Sequence, residues 1–345
     1  KIVNKNANKA DYMLSLQILS RMLYQHYKKA PVIIIDEYDT PIQEGFVNNY
    51  YNEAIEFIRN FFSAALKDNP YITMSIMTGI LRVAKESIFS GLNNIRVDSV
   101  LDDTFSGYFG FTEGEVKLIT QYYNVTEKLA EIKSWYDGYR FGSTEIYNPW
   151  SVINYITSSC KAIPYWSQTS ENTIIHEILK KYNEATYRNL HELLKENGQV
   201  SSVIKTNIIY PELKGPQTDI LGFLLMTGYL KATDMTLNED GEHLCRLNIP
   251  NKEIRTIYRK EIISLLIAEV GDMTVTDLRD ALLNKDSAVI KETLGRFMMQ
   301  TISYYDGLRE SYYHGLMLGL ITIFEYTHFI RSNRESGAGR YDIEL

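Results

Sequence analysis

With 345 residues and a formal net charge of −7, the chain is long enough for two or three domains. The acidic balance argues against a broad basic surface that grips nucleic acid without specificity, and leaves room for a local basic groove. A hydrophobic fraction of 45% supplies real cores, a charged fraction of 23% excludes wholesale disorder, and no apolar run reaches transmembrane length, so no membrane partner is expected.

Residues 1–10 are polar and basic without an apolar core, so they are not a signal peptide. Met13, Leu14, Leu16, Ile18, Leu19, Met22 and Leu23 fall close to helical spacing and predict a helix over 11–27. Val32-Ile33-Ile34-Ile35 follows, four β-branched apolar residues that read as a parallel strand covered by helices on both sides. The strand runs straight into Asp36-Glu37. Tyr51–Leu66 predicts an amphipathic helix with Ala54, Ile55, Ile58, Phe61, Phe62 and Ala65 on its apolar side, and Ile72–Met77 a second strand stopping at Thr78-Gly79. Helix, strand, helix, strand implies a parallel sheet.

Ala84–Asn94 reads as a loop with a short helical turn, and Glu113–Tyr122 and Thr126–Tyr136 as short helices. The Gly-, Tyr- and Asn-rich stretch from Trp135 to Trp150 reads as an aromatic loop packing between domains. Pro149 then opens a helix to about Ile156 with Asn148 as its cap. Residues 171–197 are helical and charged. A helix over Gly215–Thr227, a hairpin of Tyr229–Thr233 and Leu244–Ile249 around Asn238-Glu239-Asp240-Gly241, and a helix from Lys252 to Val270 outline a winged-helix-like unit. Its few basic residues favour a joining role. Further helices are expected at Thr274–Leu283, Ser287–Tyr304 and Leu308–Phe324. A strand follows near Tyr326–Ile330, then a polar turn at Asn333–Gly339 and a strand starting at Arg340. The fold class is therefore α/β. Its expected parts are a parallel sheet domain over 1–150, a helical and winged-helix-like middle region over 151–270, and a partial α/β domain over 271–345.

Asp36 and Glu37 emerge at the carboxyl end of a strand, where open α/β sheets bind ligands. In P-loop ATPases one such carboxylate helps hold Mg²⁺ and its neighbour orients the attacking water. The same pair also makes an ordinary solvated turn. Thr78 lies near Asp36 if the two strands are neighbours, the place where many ATPases keep a polar residue that senses the γ-phosphate. It equally suits a plain turn. A P-loop needs Gly-x-x-x-x-Gly-Lys-Ser/Thr, because glycines let backbone N–H groups cradle the phosphates, and no such sequence occurs in the chain. Either this is not a P-loop protein, or the segment carrying the loop is missing from the sequence. The two cysteines, Cys160 and Cys245, have no metal-ligand spacing and fit a reduced, cytoplasmic protein. The 26 tyrosines fit surface and interface packing better than base stacking. No zinc site is expected, and His314 on its apolar helix suits packing better than a general base.

Four blocks point one way: Ile33-Ile34-Ile35-Asp36-Glu37-Tyr38-Asp39-Thr40-Pro41-Ile42; Thr78-Gly79 with Ser87-Ile88-Phe89-Ser90-Gly91-Leu92-Asn93-Asn94; Tyr136-Asp137-Gly138-Tyr139 with Tyr147-Asn148-Pro149-Trp150-Ser151; and Ser332-Asn333-Arg334-Glu335-Ser336-Gly337 with Gly339-Arg340-Tyr341-Asp342. Together they resemble the bacterial AAA-ATPase-like family whose members end in a PD-(D/E)XK nuclease-superfamily domain. The resemblance implies ATP and Mg²⁺ as cofactors, with Asp36 as the Walker B metal ligand, Glu37 as the catalytic glutamate and Thr78 as a nucleotide-sensing residue. Arg82 and Arg140 are weaker candidate phosphate contacts. It further implies Asp342 as a catalytic, metal-binding aspartate and Glu310 as a helical catalytic acid of the nuclease core. The family's Walker A segment would lie upstream of Lys1 and its Glu-x-Lys strand downstream of Leu345. The 345 residues alone are thus expected to be nearly inactive as ATPase or nuclease. DNA or RNA and a homo-oligomeric partner are the expected associations. The alternative function is a nucleotide-dependent regulatory or scaffold protein whose nuclease-like domain only binds.

Overall fold

A computed structural model describes residues 6–80, 95–166, 189, 192–194, 197–205, 220–258, 260–261, 272–301, 331–336 and 339–344. The architecture is mixed α/β with small sheets. The chain divides into two compact units. One holds Lys1–Phe105, Ser202–Leu230 and Met235–Cys245; the other holds Ser106–Ser201, Lys231–Asp234 and Arg246–Leu345.

The first unit opens with α1 (Lys9–Met13) and α2 (Ser15–Tyr27), where the sequence predicts one helix. A reciprocal cap starts α1 two residues early: the Asn8 side chain accepts from the Asp11 amide at 2.9 Å, and the Asn8 amide donates to Asp11 at 3.0 Å. Strand β1 (Val32–Ile35) pairs in parallel with β2 (Met74–Met77), in the register Ile34↔Ile76 and Ile35↔Met77. The chain crosses between them through α3 (Thr40–Val47) and α4 (Tyr51–Leu66). The α4 bounds match the sequence reading, and Ile55, Ile58, Phe62 and Ala65 form its buried stripe. Helix α3 is additional: Pro41 sits in its first turn, where the lost N–H has no intrahelical partner. Gly45 lets α3 meet α4, since a Cβ there would lie 2.8 Å from that of Ala54.

Coverage of β1 differs from expectation. Ile33 is 6% exposed, but Ile34 is 70% exposed, and Val32, Met74 and Ile76 are open with it. Alternate side chains of a strand face opposite ways, so the helices cover one face and leave the other bare. The run of four apolar residues reports strand type and says nothing of which neighbours arrive to cover it.

In the second unit, α5 (Glu113–Tyr122) is capped by Thr112, and a short 3-10 turn at Thr126–Lys128 leads into α6 (Leu129–Tyr136). The stretch read as a loop contains an antiparallel hairpin, β3 (Tyr139–Phe141) and β4 (Thr144–Ile146). Helix α7 (Pro149–Thr157) starts as predicted, with the Asn148 side chain accepting from the Ser151 amide at 3.2 Å. Tyr136, Tyr147, Tyr155 and Tyr165 are buried with Val116, Ile132, Val152 and Ile156 in one cluster, so these tyrosines serve packing within the unit. The Tyr155 hydroxyl donates to the Glu131 carboxylate, and burial pushes its phenol well above the ordinary range.

A three-stranded sheet orders β5 (Val200–Ile204), β7 (His243–Asn248) and β6 (Lys231–Leu237), with β7 central. The helix–hairpin–helix outline is present as Ile220–Met226, the β6–β7 hairpin and a helix over 252–258. Strand β5 is an addition, because Val-Ser-Ser-Val-Ile alternates too weakly to register. Helices Asp272–Leu283 and Ser287–Thr301 follow. The expected polar turn at Asn333–Gly339 is largely strand: β8 (Arg331–Ser336) pairs antiparallel with β9 (Gly339–Glu344). The expected helix over Leu308–Phe324, with Glu310 and His314, lies outside the described residues.

Candidate functional site

The parallel pairing of β1 with β2 brings two strand ends together. Beyond Ile35 and Met77 the backbones stay locked: the Thr78 amide donates to Ile35 O at 2.9 Å, and the Tyr38 amide donates to Thr78 O at 2.9 Å. These bonds set Thr78 beside Asp36, and the Thr78 hydroxyl donates to Asp36 Oδ1. The Glu37 amide donates to the same oxygen at 3.1 Å. Among the described residues, Asp36 Oδ2 has no hydrogen-bond partner, and the side chain is exposed. The sequence-predicted pair of Asp36 and Thr78 is therefore one local constellation.

Glu37 follows with φ of 51°, the left-handed region that favours glycine. Its carbonyl accepts from the Thr40 amide at 3.1 Å, and its Oε2 accepts from the Thr40 hydroxyl at 3.3 Å. Asp39, buried at 3% exposure, receives the Ile80 amide on both carboxylate oxygens at 3.1 and 3.3 Å. This ties the turn after β1 to the exit from β2 across 41 residues of sequence. Sequence reasoning missed Asp39 and Thr40 as site residues. The Asp-Thr-Pro order is a helix-start signal that would have found α3.

Gly79 is tightly enclosed. A Cβ there would sit 2.6 Å from Asp39 Oδ1 and 2.6 Å from Tyr38 Cε1, both on buried side chains. Gly79→Ala is expected to lower stability by about 1–3 kcal/mol through overpacking, read as a fall in melting temperature. An unchanged melting temperature would mean the two strand ends are not clamped.

Asp36 suits a hard divalent cation. Mg²⁺ takes oxygen donors, keeps several waters and is commonly held by one or two carboxylates with substrate phosphates. An exposed carboxylate with one unengaged oxygen, steadied by a hydroxyl on the other, fits that demand. Among the described residues no group of three or more His, Cys, Asp or Glu converges as a self-sufficient metal cage. A phosphate cradle is a different matter, since the 345 residues hold no glycine-rich lysine loop.

The remaining candidates fall elsewhere. Asp342 lies on β9 between Tyr341, paired with Arg334, and Ile343, paired with Ser332. Glu310 and Arg82 lie outside the described residues. Arg140 donates to the carbonyls of Gly142 and Thr233 and so serves the β3–β4 hairpin and its surroundings. Cys160 is half-buried and Cys245 buried. Among the described residues no helix is long and apolar enough to cross a membrane.

Glu253, which sequence reading also passed over, is a buried carboxylate of the second unit. Its two oxygens accept from the Ser151 hydroxyl at 3.0 and 2.9 Å, and one also accepts from the Trp166 amide at 2.9 Å. Burial pushes its carboxyl up to about 7, against these stabilising donors.

Residues 1–89 match the model of a family described as "AAA-ATPase_like: Predicted AAA-ATPase". That match contains every residue of the constellation around Asp36, and it supports a nucleotide-binding, ATPase-like function for this part of the chain. The chain is also 23% identical over 303 residues to an "Uncharacterized protein in vnfD 5'region" of Azotobacter chroococcum mcd 1, an alignment covering 84% of this chain. The chain spans 56% of that relative's length. No solved structure matches.

Proposed function

We propose that the first unit belongs to an Mg²⁺-dependent ATP-hydrolysing module in which Asp36 holds the metal, Thr78 steadies Asp36 and responds to nucleotide, and Glu37 takes the proton of the attacking water. The observation that carries this reading is the Asp36–Thr78 pair at the carboxyl ends of adjacent parallel strands, with Asp36 Oδ2 unengaged among the described residues. Bound metal supplies charge neutralisation for the transferring phosphate. The protein's own share is to fix the metal-binding carboxylate, through two donors on one oxygen of Asp36. These 345 residues hold no glycine-rich lysine loop of the kind that cradles phosphates. The bare apolar face of Val32, Ile34, Met74 and Ile76 is the kind of surface that helices cover in parallel α/β sheets. The test is Mg²⁺-dependent ATP hydrolysis by the full-length protein, compared with Asp36→Ala.

In the same reading the segment over 271–345 is a nuclease-like module acting on DNA or RNA, with Asp342 as metal ligand and Glu310 as its partner acid. It rests on the block around Asp342, most of which lies in the antiparallel pair β8 and β9. Asp342→Ala is expected to abolish Mg²⁺- or Mn²⁺-dependent cleavage of plasmid DNA by the full-length protein. Absence of cleavage in the wild type would turn the reading toward a non-catalytic binding module under nucleotide control.

A further inference from the structure

We propose that Thr40 is a positioning residue for Glu37, holding its carboxylate by one oxygen and leaving the other to meet water. The inference rests on the ATPase reading of Asp36 and Glu37 and adds to it a residue that reading does not require.

Three observations converge on it. First, the Glu37 carboxylate is exposed and, among the described residues, its hydrogen bond is the one from the Thr40 hydroxyl, on Oε2 at 3.3 Å. An exposed glutamate has three rotatable side-chain bonds and wanders unless tethered. Second, Glu37 has left-handed backbone, which costs a non-glycine residue roughly 1 kcal/mol. Backbone strain of this size persists where the surrounding contacts over-determine it. The Thr40 amide closes that turn on Glu37 O at 3.1 Å, so one residue restrains both backbone and side chain. Third, the arrangement repeats the neighbouring one: the Thr78 hydroxyl engages one oxygen of Asp36 and the Thr40 hydroxyl one oxygen of Glu37. Thr40 is well suited to the task. It is the first residue of α3, Pro41 fixes the next φ, and its β-branch restricts χ1.

The test uses the full-length protein and two readouts: equilibrium binding of Mg²⁺-ATP by dialysis, and single-turnover hydrolysis. Thr40→Val keeps the shape and removes the hydroxyl; Thr40→Ser keeps the hydroxyl. The valine variant is expected to bind Mg²⁺-ATP within about twofold of wild type and to hydrolyse it roughly 10- to 100-fold more slowly, the scale of loss when a reacting group is misplaced. The serine variant is expected to recover most of that rate. Wild-type hydrolysis in the valine variant would overturn the proposal, as would equal impairment of valine and serine variants, or a loss seen in binding alone. Asp36→Ala run beside them separates the two levels: if it hydrolyses ATP like wild type, the underlying reading fails and takes this inference with it. If Asp36→Ala is inactive while Thr40→Val is normal, only the role of Thr40 fails.

Discussion

Asp36→Ala is expected to reduce Mg²⁺-dependent ATP hydrolysis by the full-length protein by at least about 10²- to 10⁴-fold, the range set by losing a group that acts directly on the reacting centre. The fold should survive, because Asp36 is exposed and its loss frees a hydroxyl and an amide that water can satisfy. The distinguishing result is an inactive variant with an unchanged urea midpoint. An inactive variant that is also unfolded would mean the Asp36–Thr78 bond serves the sheet more than the chemistry. Full activity in the variant would remove Asp36 from the mechanism altogether.

The second large effect concerns stability and pH. Glu253 is buried in the second unit against the Ser151 hydroxyl and the Trp166 amide, with Tyr136 and Tyr165 nearby, and its carboxyl is raised from 4.5 to about 7. A folded-state value above the unfolded one means that the folded protein holds the proton more tightly. Its stabilising effect is complete below pH 4.5 and is lost as the pH rises through 7. At 1.36 kcal/mol per pH unit the loss approaches about 3 kcal/mol. Glu253→Gln keeps an acceptor for the same donors and cannot ionise, so it should flatten this dependence. Urea midpoints at pH 5 and pH 8 for both proteins decide the matter. A wild type as flat as the glutamine variant would mean that Glu253 ionises freely.

What the sequence showed and what it hid follows from how local each feature is. Helices α4 and α5 were legible to the residue, since a long apolar stripe and a capping box are written in neighbouring positions. The adjacent acids after Ile35 were legible for the same reason. Thr78 needed one further step, that β1 and β2 are neighbours, and the parallel register supplies it. Short or polar elements were harder. Helix α3 spans two turns, and β8 is an almost wholly polar strand whose ladder bonds to β9, with no apolar periodicity, define it. The bare face of β1 was illegible because β-branched residues declare a strand and not its neighbours. Contacts at long separation were beyond reach altogether: Asp39 meets Ile80 across 41 residues and Ser151 meets Glu253 across 102. Such pairs are fixed by the fold as a whole, and Asp39, Ser151 and Glu253 each read alone as an ordinary surface acid or hydroxyl.

In the proposed mechanism the two acids after β1 divide the work, Asp36 for the metal and Glu37 for the water. Glu37→Gln tests it most directly, because glutamine keeps the shape and the bond from Thr40 while it cannot take up a proton from water. Measured side by side on the full-length protein, Mg²⁺-ATP binding should remain within about twofold of wild type while hydrolysis falls by roughly 10²-fold or more. Hydrolysis at the wild-type rate by Glu37→Gln would contradict the account.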